Sequence, residues 1–125
     1  MRRPHIVPLS TQVVDLFEQL KPITGHYPYI FIGRNKRSKP ILKERVSQVI
    51  EVLGYKGRAT RHGFRHTMST ILHEKGFDSV WIEMQLAHVD KNTIRGTYNH
   101  ALYIDNRRKM MQEYANYLQT LLKQD

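Results

Sequence analysis

Thr60-Arg61-His62-Gly63-Phe64-Arg65-His66-Thr67 is the stretch from which the rest of the chain is read. Two arginines, two histidines and two hydroxyl residues fall within its eight positions. Thr60 suits a helix N-cap, where its side-chain oxygen accepts an N–H of the first turn. Phe64, Met68, Ile71 and Leu72 then recur at helical spacing. His62 and Arg65, three positions apart, share a face near the helix start. Free N–H groups and the helix dipole favour anions there. A guanidinium fork and an imidazole at the same place suit a phosphate.

Further on stand Leu86-Ala87-His88 and, ten residues beyond His88, Tyr98-Asn99-His100. The octet resembles the Thr-x-His-x-x-Arg-His-Thr box of the tyrosine recombinases, the phage-integrase family. Leu86-Ala87-His88 resembles that family's Leu-Gly-His segment, and Tyr98-Asn99-His100 its nucleophile motif. Each match alone is weak, but the three in order within about forty residues are strong. Pro4-His5-Ile6-Val7-Pro8-Leu9-Ser10 resembles the strand and turn leading into the family's catalytic interior, so the likeness covers most of the chain. The subgroup it resembles is that of the P4-like prophage integrases.

The resemblance implies site-specific DNA recombination through a 3′-phosphotyrosyl intermediate, with no cofactor and no metal. Tyr98 would be the nucleophile, Arg65 would bind the non-bridging oxygens of the scissile phosphate, His62 would donate to, or take a proton from, the same phosphate region, and His88 would hydrogen-bond the phosphate. His66 is left in a supporting place. It also implies double-stranded DNA and other recombinase protomers as partners, the latter through the C-terminal helix, and a bacterial, DNA-associated cytoplasmic location. The family needs a further arginine upstream of the first strand and a lysine on the hairpin. Neither is matched, although Arg2 and Arg3 lie close to the lysine's place. Residues 1–125 are therefore expected to be a single domain, the C-terminal part of a catalytic domain, weakly active or inactive by itself. Each missing charge donor costs on the order of a hundred-fold in rate.

The residues support this chemistry independently. A tyrosine hydroxyl is a weak nucleophile at its ordinary pKa of roughly 10 and needs cations or a base beside it. A phosphorane-like transition state gains negative charge that Arg and His donors stabilise. Tyr98 is one of seven tyrosines, and only the order of motifs selects it. A lone Arg65 or His88 would more often be a structural residue. No carboxylate pair and no nucleotide-binding loop is present.

Charge placement points the same way. Residues 1–66 hold thirteen Lys/Arg against four Asp/Glu, whereas residues 67–125 hold seven of each. The whole net charge of +9 thus sits in the first half. A one-sided basic field is either a solvated surface or a polyanion-binding face. Its concentrated parts are the loop carrying Arg34, Lys36, Arg37 and Lys39, and the connector with Arg58 and Arg61. These are the candidate contacts to DNA phosphates.

The expected fold is mainly α, with a short β-strand or hairpin remnant near the N-terminus. His5-Ile6-Val7 between prolines suits an edge strand. Ser10 opens a helix over Val13, Val14, Phe17 and Leu20, ended by Pro22 and Gly25. Tyr29-Ile30-Phe31-Ile32 reads as a buried strand. Leu42, Val46, Val49, Ile50 and Leu53 mark a helix stopped at Gly54. The central helix stops at Gly76, and Asp78 or Ser79 caps the next, Val80 to Ala87, with Trp81 in the core. Asn92 or Thr93 caps a short turn leading to Tyr98. A last helix from Ile104 to Leu122 bears a wide apolar stripe over Met110, Met111, Tyr114, Tyr117, Leu118 and Leu121.

Forty per cent hydrophobic residues argue for a folded chain, and the absence of cysteine excludes disulfides and thiol catalysis. No apolar run is long enough for a membrane span, and no signal-peptide core is present. Zinc at His62 and His66, joined by His88 and His100, is a competing reading, disfavoured by Arg65 between the first two and by the lack of His-Glu-x-x-His. A non-enzymatic helix-turn-helix module is another, weakened because Val80 to Ala87 offers no Lys or Arg to bases. Type IB topoisomerases share the chemistry, but the flanking residues fit the integrase pattern better.

Overall fold

The structure is a computed structural model that describes residues 4–88 and 103–123. Among these residues the chain is helical throughout its regular parts, in five α-helices: α1 (Thr11–Thr24), α2 (Lys43–Ile50), α3 (Arg61–Glu74), α4 (Ser79–Gln85) and α5 (Ile104–Leu122). The described residues fall into two compact units. One runs from Gln12 to Thr67, and the other joins residues up to Thr11 with those from Met68 onward.

The second unit holds the core. Leu72 of α3, Ile82 of α4, Leu86 just beyond α4 and Met110 of α5 are buried together. Met68, Phe77, Trp81, Met111 and Tyr114 pack around them. Burying each such aliphatic side chain contributes about 1.5–3 kcal/mol. Two turns aim these helices. At Gly76, whose φ is +82°, the Phe77 N–H donates to the Leu72 carbonyl at 3.2 Å and the Gly76 N–H to the His73 carbonyl at 3.0 Å. That is a Schellman turn, and Phe77 seals it against the Leu72 cluster. Asp78 then caps α4, its Oδ1 accepting from the Val80 N–H at 2.9 Å.

The N-terminal segment departs from the expected strand. Pro4 to Ser10 belongs to no ladder among the described residues. Its polar groups are met by side chains and helix ends instead. The Arg107 Nη2 donates to the Ile6 carbonyl at 2.6 Å, and the His5 Nε2 meets the Gln85 carbonyl at 3.2 Å. At Thr11, Gln112 accepts from the backbone N–H at 2.9 Å and donates to the side-chain hydroxyl at 3.2 Å. Arg107 is fully buried, and its Nε also donates to Gln85 Oε1 at 3.1 Å. One side chain of α5 thus ties α4 to the start of the chain, and a strand partner is not needed to satisfy Ile6.

The Gln12–Thr67 unit is built differently. α1 continues through Pro22 to Thr24 rather than ending at the proline. Placed in the last turn, Pro22 forfeits one helical hydrogen bond, and beyond the helix end the Gly25 N–H donates to the Lys21 carbonyl at 2.8 Å. Tyr29 to Ile32 is not a buried strand. Tyr29, Ile30 and Phe31 are exposed, and Ile32 makes a single antiparallel bridge, to Pro40. Proline cannot donate, so the pairing does not propagate beyond its neighbours. It does close a loop: Ile41 N–H reaches the Phe31 carbonyl at 2.9 Å and Gly33 N–H the Lys39 carbonyl at 2.7 Å. A Cβ at Gly33 would meet the Lys36 carbonyl oxygen at 2.8 Å, so only glycine admits that close approach.

α2 passes into a π-type turn, Glu51–Tyr55, broken at Gly54 by a φ of +90°. The stop at Gly54 agrees with the sequence. Phe64 differs from expectation, since it is exposed although its spacing matches the buried Leu72. α3 crosses from one unit to the other, and only its second half meets the core.

Candidate active site and nucleic-acid interface

The start of α3 carries His62 and Arg65. Thr60 caps it as its residue type demands, with Oγ1 accepting from the Gly63 N–H at 2.9 Å. Arg61 Nη1 reaches the Lys43 carbonyl at 3.3 Å, which ties the first turn of α3 to the first turn of α2. His62 is exposed and Arg65 half-buried. The His62 and His66 rings meet edge to face with centroids 4.8 Å apart. Among the described residues no group of three or more His, Asp or Glu is placed to hold a metal ion, and His100 of the zinc reading lies outside them.

His88 follows α4 in the other unit, at the end of a second Schellman turn. The Ala87 N–H donates to the Met84 carbonyl at 3.1 Å and the His88 N–H to the Glu83 carbonyl at 3.0 Å. Ala87 adopts the left-handed φ of +54° that this turn requires. The His88 side chain leans on the same residue, with Nδ1 2.5 Å from Glu83 Oε2. Sequence reasoning missed Glu83, because five positions apart is not a helix-face spacing. The signal lay in Leu86-Ala87-His88. A residue standing where the family has glycine marks a left-handed turn, which folds His88 back over Glu83.

Tyr98, with Asn99, His100 and the caps expected at Asn92 or Thr93, lies outside the described residues. Three tyrosines that follow it in sequence are described. Tyr103 immediately precedes α5, with a φ of +57°. Burial, and then the neighbouring Tyr117, push the Tyr114 hydroxyl above its ordinary pKa of 10.0, which makes it a poor nucleophile. The Lys75 ammonium sits over the Tyr117 ring at 4.2 Å from the centroid.

The basic candidates all lie in the Gln12–Thr67 unit. Arg34, Lys36, Arg37 and Lys39 are exposed on the loop closed at Gly33. Arg37 Nη1 donates to the Tyr27 hydroxyl at 3.0 Å, and the Arg58 guanidinium lies 5.8 Å from the Tyr55 ring centroid. These partners orient both arginines without removing them from solvent. α4 carries no Lys or Arg, which leaves it without the cationic side chains that read guanine. No helix of the described residues is long and apolar enough to cross a membrane.

Comparison with known proteins decides the family. The chain matches the Phage integrase family over residues 1–104, a span that includes every motif above. It belongs to that family. It is 47% identical to Prophage integrase IntS of Escherichia coli (strain K12) over 118 residues, which are 94% of this chain and 31% of that protein. It is 46% identical to the Integrase of Shigella phage Sf6, with the same coverage of 94% and 31%. Against the Integrase of Enterobacteria phage P4 the identity is 38%, over 94% of this chain and 28% of that protein. The chain thus spans about a third of the length of these relatives. No solved structure matches it significantly.

Proposed function

We propose that this chain carries the catalytic groups of a site-specific DNA recombinase that integrates or excises a mobile element. One observation carries the reading: the phage-integrase match over residues 1–104 runs through His62, Arg65, His88 and Tyr98. Tyr98 attacks the scissile phosphorus. The bond to the 5′ oxygen breaks, that oxygen leaves as a hydroxyl after taking up a proton, and the 3′ phosphate stays on the tyrosine. Arg65, His62 and His88 stabilise the extra negative charge of the transition state. Attack by a 5′ hydroxyl on the phosphotyrosine reverses these steps, so rejoining needs no ATP.

Double-stranded DNA is the substrate, and Arg34, Lys36, Arg37, Lys39, Arg58 and Arg61 contact its phosphates. Residues 1–125 act as one partial catalytic domain within the bacterial cytoplasm. Other protomers on the DNA are the protein partners, and α5 offers them Leu118, Leu121 and Leu122, which are exposed at its end.

The test is covalent capture on a suicide duplex bearing the element's attachment site. The recombinase should yield a denaturant-stable protein–DNA adduct, and Tyr98→Phe should abolish it while leaving DNA binding intact. An adduct that survives Tyr98→Phe would remove Tyr98 from the reaction.

A further inference from the structure

His88 is held twice by one residue. Its backbone N–H donates to the Glu83 carbonyl at 3.0 Å, and its Nδ1 lies 2.5 Å from the Glu83 carboxylate. The left-handed Ala87 makes both possible by reversing the chain within one turn of α4. An ionised carboxylate only accepts, so the proton between the two groups belongs to Nδ1. Nε2 is then the ring nitrogen left for any other partner.

A stabilising staple is a poor explanation of this pair. The side chains are 53% and 47% exposed, and exposed ion pairs add little to stability. The geometry suits orientation better. A carboxylate on one imidazole nitrogen fixes the ring plane and the tautomer and supports the positive charge when the ring is protonated. In the imidazolium both nitrogens donate, one to Glu83 and the other to a phosphate oxygen.

We propose that Glu83 is the positioning residue for His88, holding Nδ1–H so that Nε2 faces the scissile phosphate. This rests on the reading of His88 as a phosphate contact. Glu83 touches no reacting atom and acts through the ring alone.

The test is a long-range proton–nitrogen correlation spectrum of the nitrogen-15-labelled chain, at a pH where the histidines are neutral. His88 should show the Nδ1–H tautomer. Glu83→Ala should turn it to the Nε2–H form that free histidine favours. Glu83→Gln, which keeps an oxygen acceptor, should retain Nδ1–H. The melting temperature should move by less than ~3 °C in either variant, since the pair is exposed. An Nε2–H wild type, or a tautomer indifferent to Glu83→Ala, overturns the proposal. Titration with inorganic phosphate at a lower pH, where the ring is an imidazolium and Nε2 carries a proton to donate, then separates the two layers. The wild-type Nε2 resonance should respond, and Glu83→Ala should weaken the response several-fold. An Nε2 that ignores phosphate overturns the phosphate-contact reading itself. A response that survives Glu83→Ala unchanged overturns only the role of Glu83.

Discussion

The two units of this chain spend their residues on different things. From Met68 onward, α3, α4 and α5 bury Leu72, Ile82, Leu86 and Met110 together and clamp the start of the chain through the buried Arg107. From Gln12 to Thr67, only Thr24 is buried. There Val52 is 86% exposed and Leu53 66%, and basic side chains crowd a loop closed by backbone hydrogen bonds. The charge divides along nearly the same line, with the entire excess before residue 67. Packing and electrostatics are thus carried by separate parts of the sequence. A substitution should reveal which part it falls in by the observable it moves.

The largest contrast is in stability. Leu72→Ala removes a fully buried side chain from the only core cluster among the described residues. It should cost about 2–5 kcal/mol in denaturant unfolding. Leu53→Ala, the same chemical change in the open unit, should stay within about 0.5 kcal/mol. Comparable losses at the two positions would show that the Gln12–Thr67 unit is packed in solution and would break the comparison.

Next in size is binding to duplex DNA. Lys36→Ala with Lys39→Ala should weaken binding about uniformly across sequences. It should also lower the salt dependence by about one logarithmic slope unit per lost phosphate contact. Lys123→Ala, in the electrically balanced part of the chain, should leave the slope unchanged. A slope that responds equally to both changes would mean that the charge division does not mark the DNA-facing side.

Much of this division was legible in the residues. Thr60, Asp78 and Gly76 fixed helix boundaries because each satisfies backbone groups in a way few residues do, and the apolar period of the last helix gave Ile104–Leu122. Strand readings failed for a common reason. His5 to Val7 and Tyr29 to Ile32 have the composition of strands, but a strand exists only with a partner, and a single segment does not name one. Arg107 was hidden by the period itself, which marks apolar faces and passes over a buried cation. At the candidate site, the motifs picked out His62, Arg65, His88 and Tyr98, while Glu83 depended on the shape of a turn.

That turn gives the smallest and sharpest prediction. The chain makes the same Schellman reversal twice, after α3 with Gly76 at φ +82° and after α4 with Ala87 at φ +54°. A left-handed conformation costs an L-residue about 1–2 kcal/mol, whereas glycine in the unfolded chain has more freedom to lose, worth about 0.5–1 kcal/mol. Gly76→Ala adds a Cβ that meets nothing within 4 Å, so its cost is backbone strain alone. It should destabilise by about 1 kcal/mol. Ala87→Gly relieves the same strain and should stabilise by roughly 0.5–1 kcal/mol net of the entropy that glycine restores to the unfolded state. The two changes should therefore move the unfolding midpoint in opposite directions. The alanine also restricts the backbone that carries His88, so Ala87→Gly should blur the His88 tautomer even as it raises stability. A chain that is stabilised with His88 unaltered would assign the positioning to Glu83 alone; one that is destabilised would show that Ala87 is held left-handed by more than its turn.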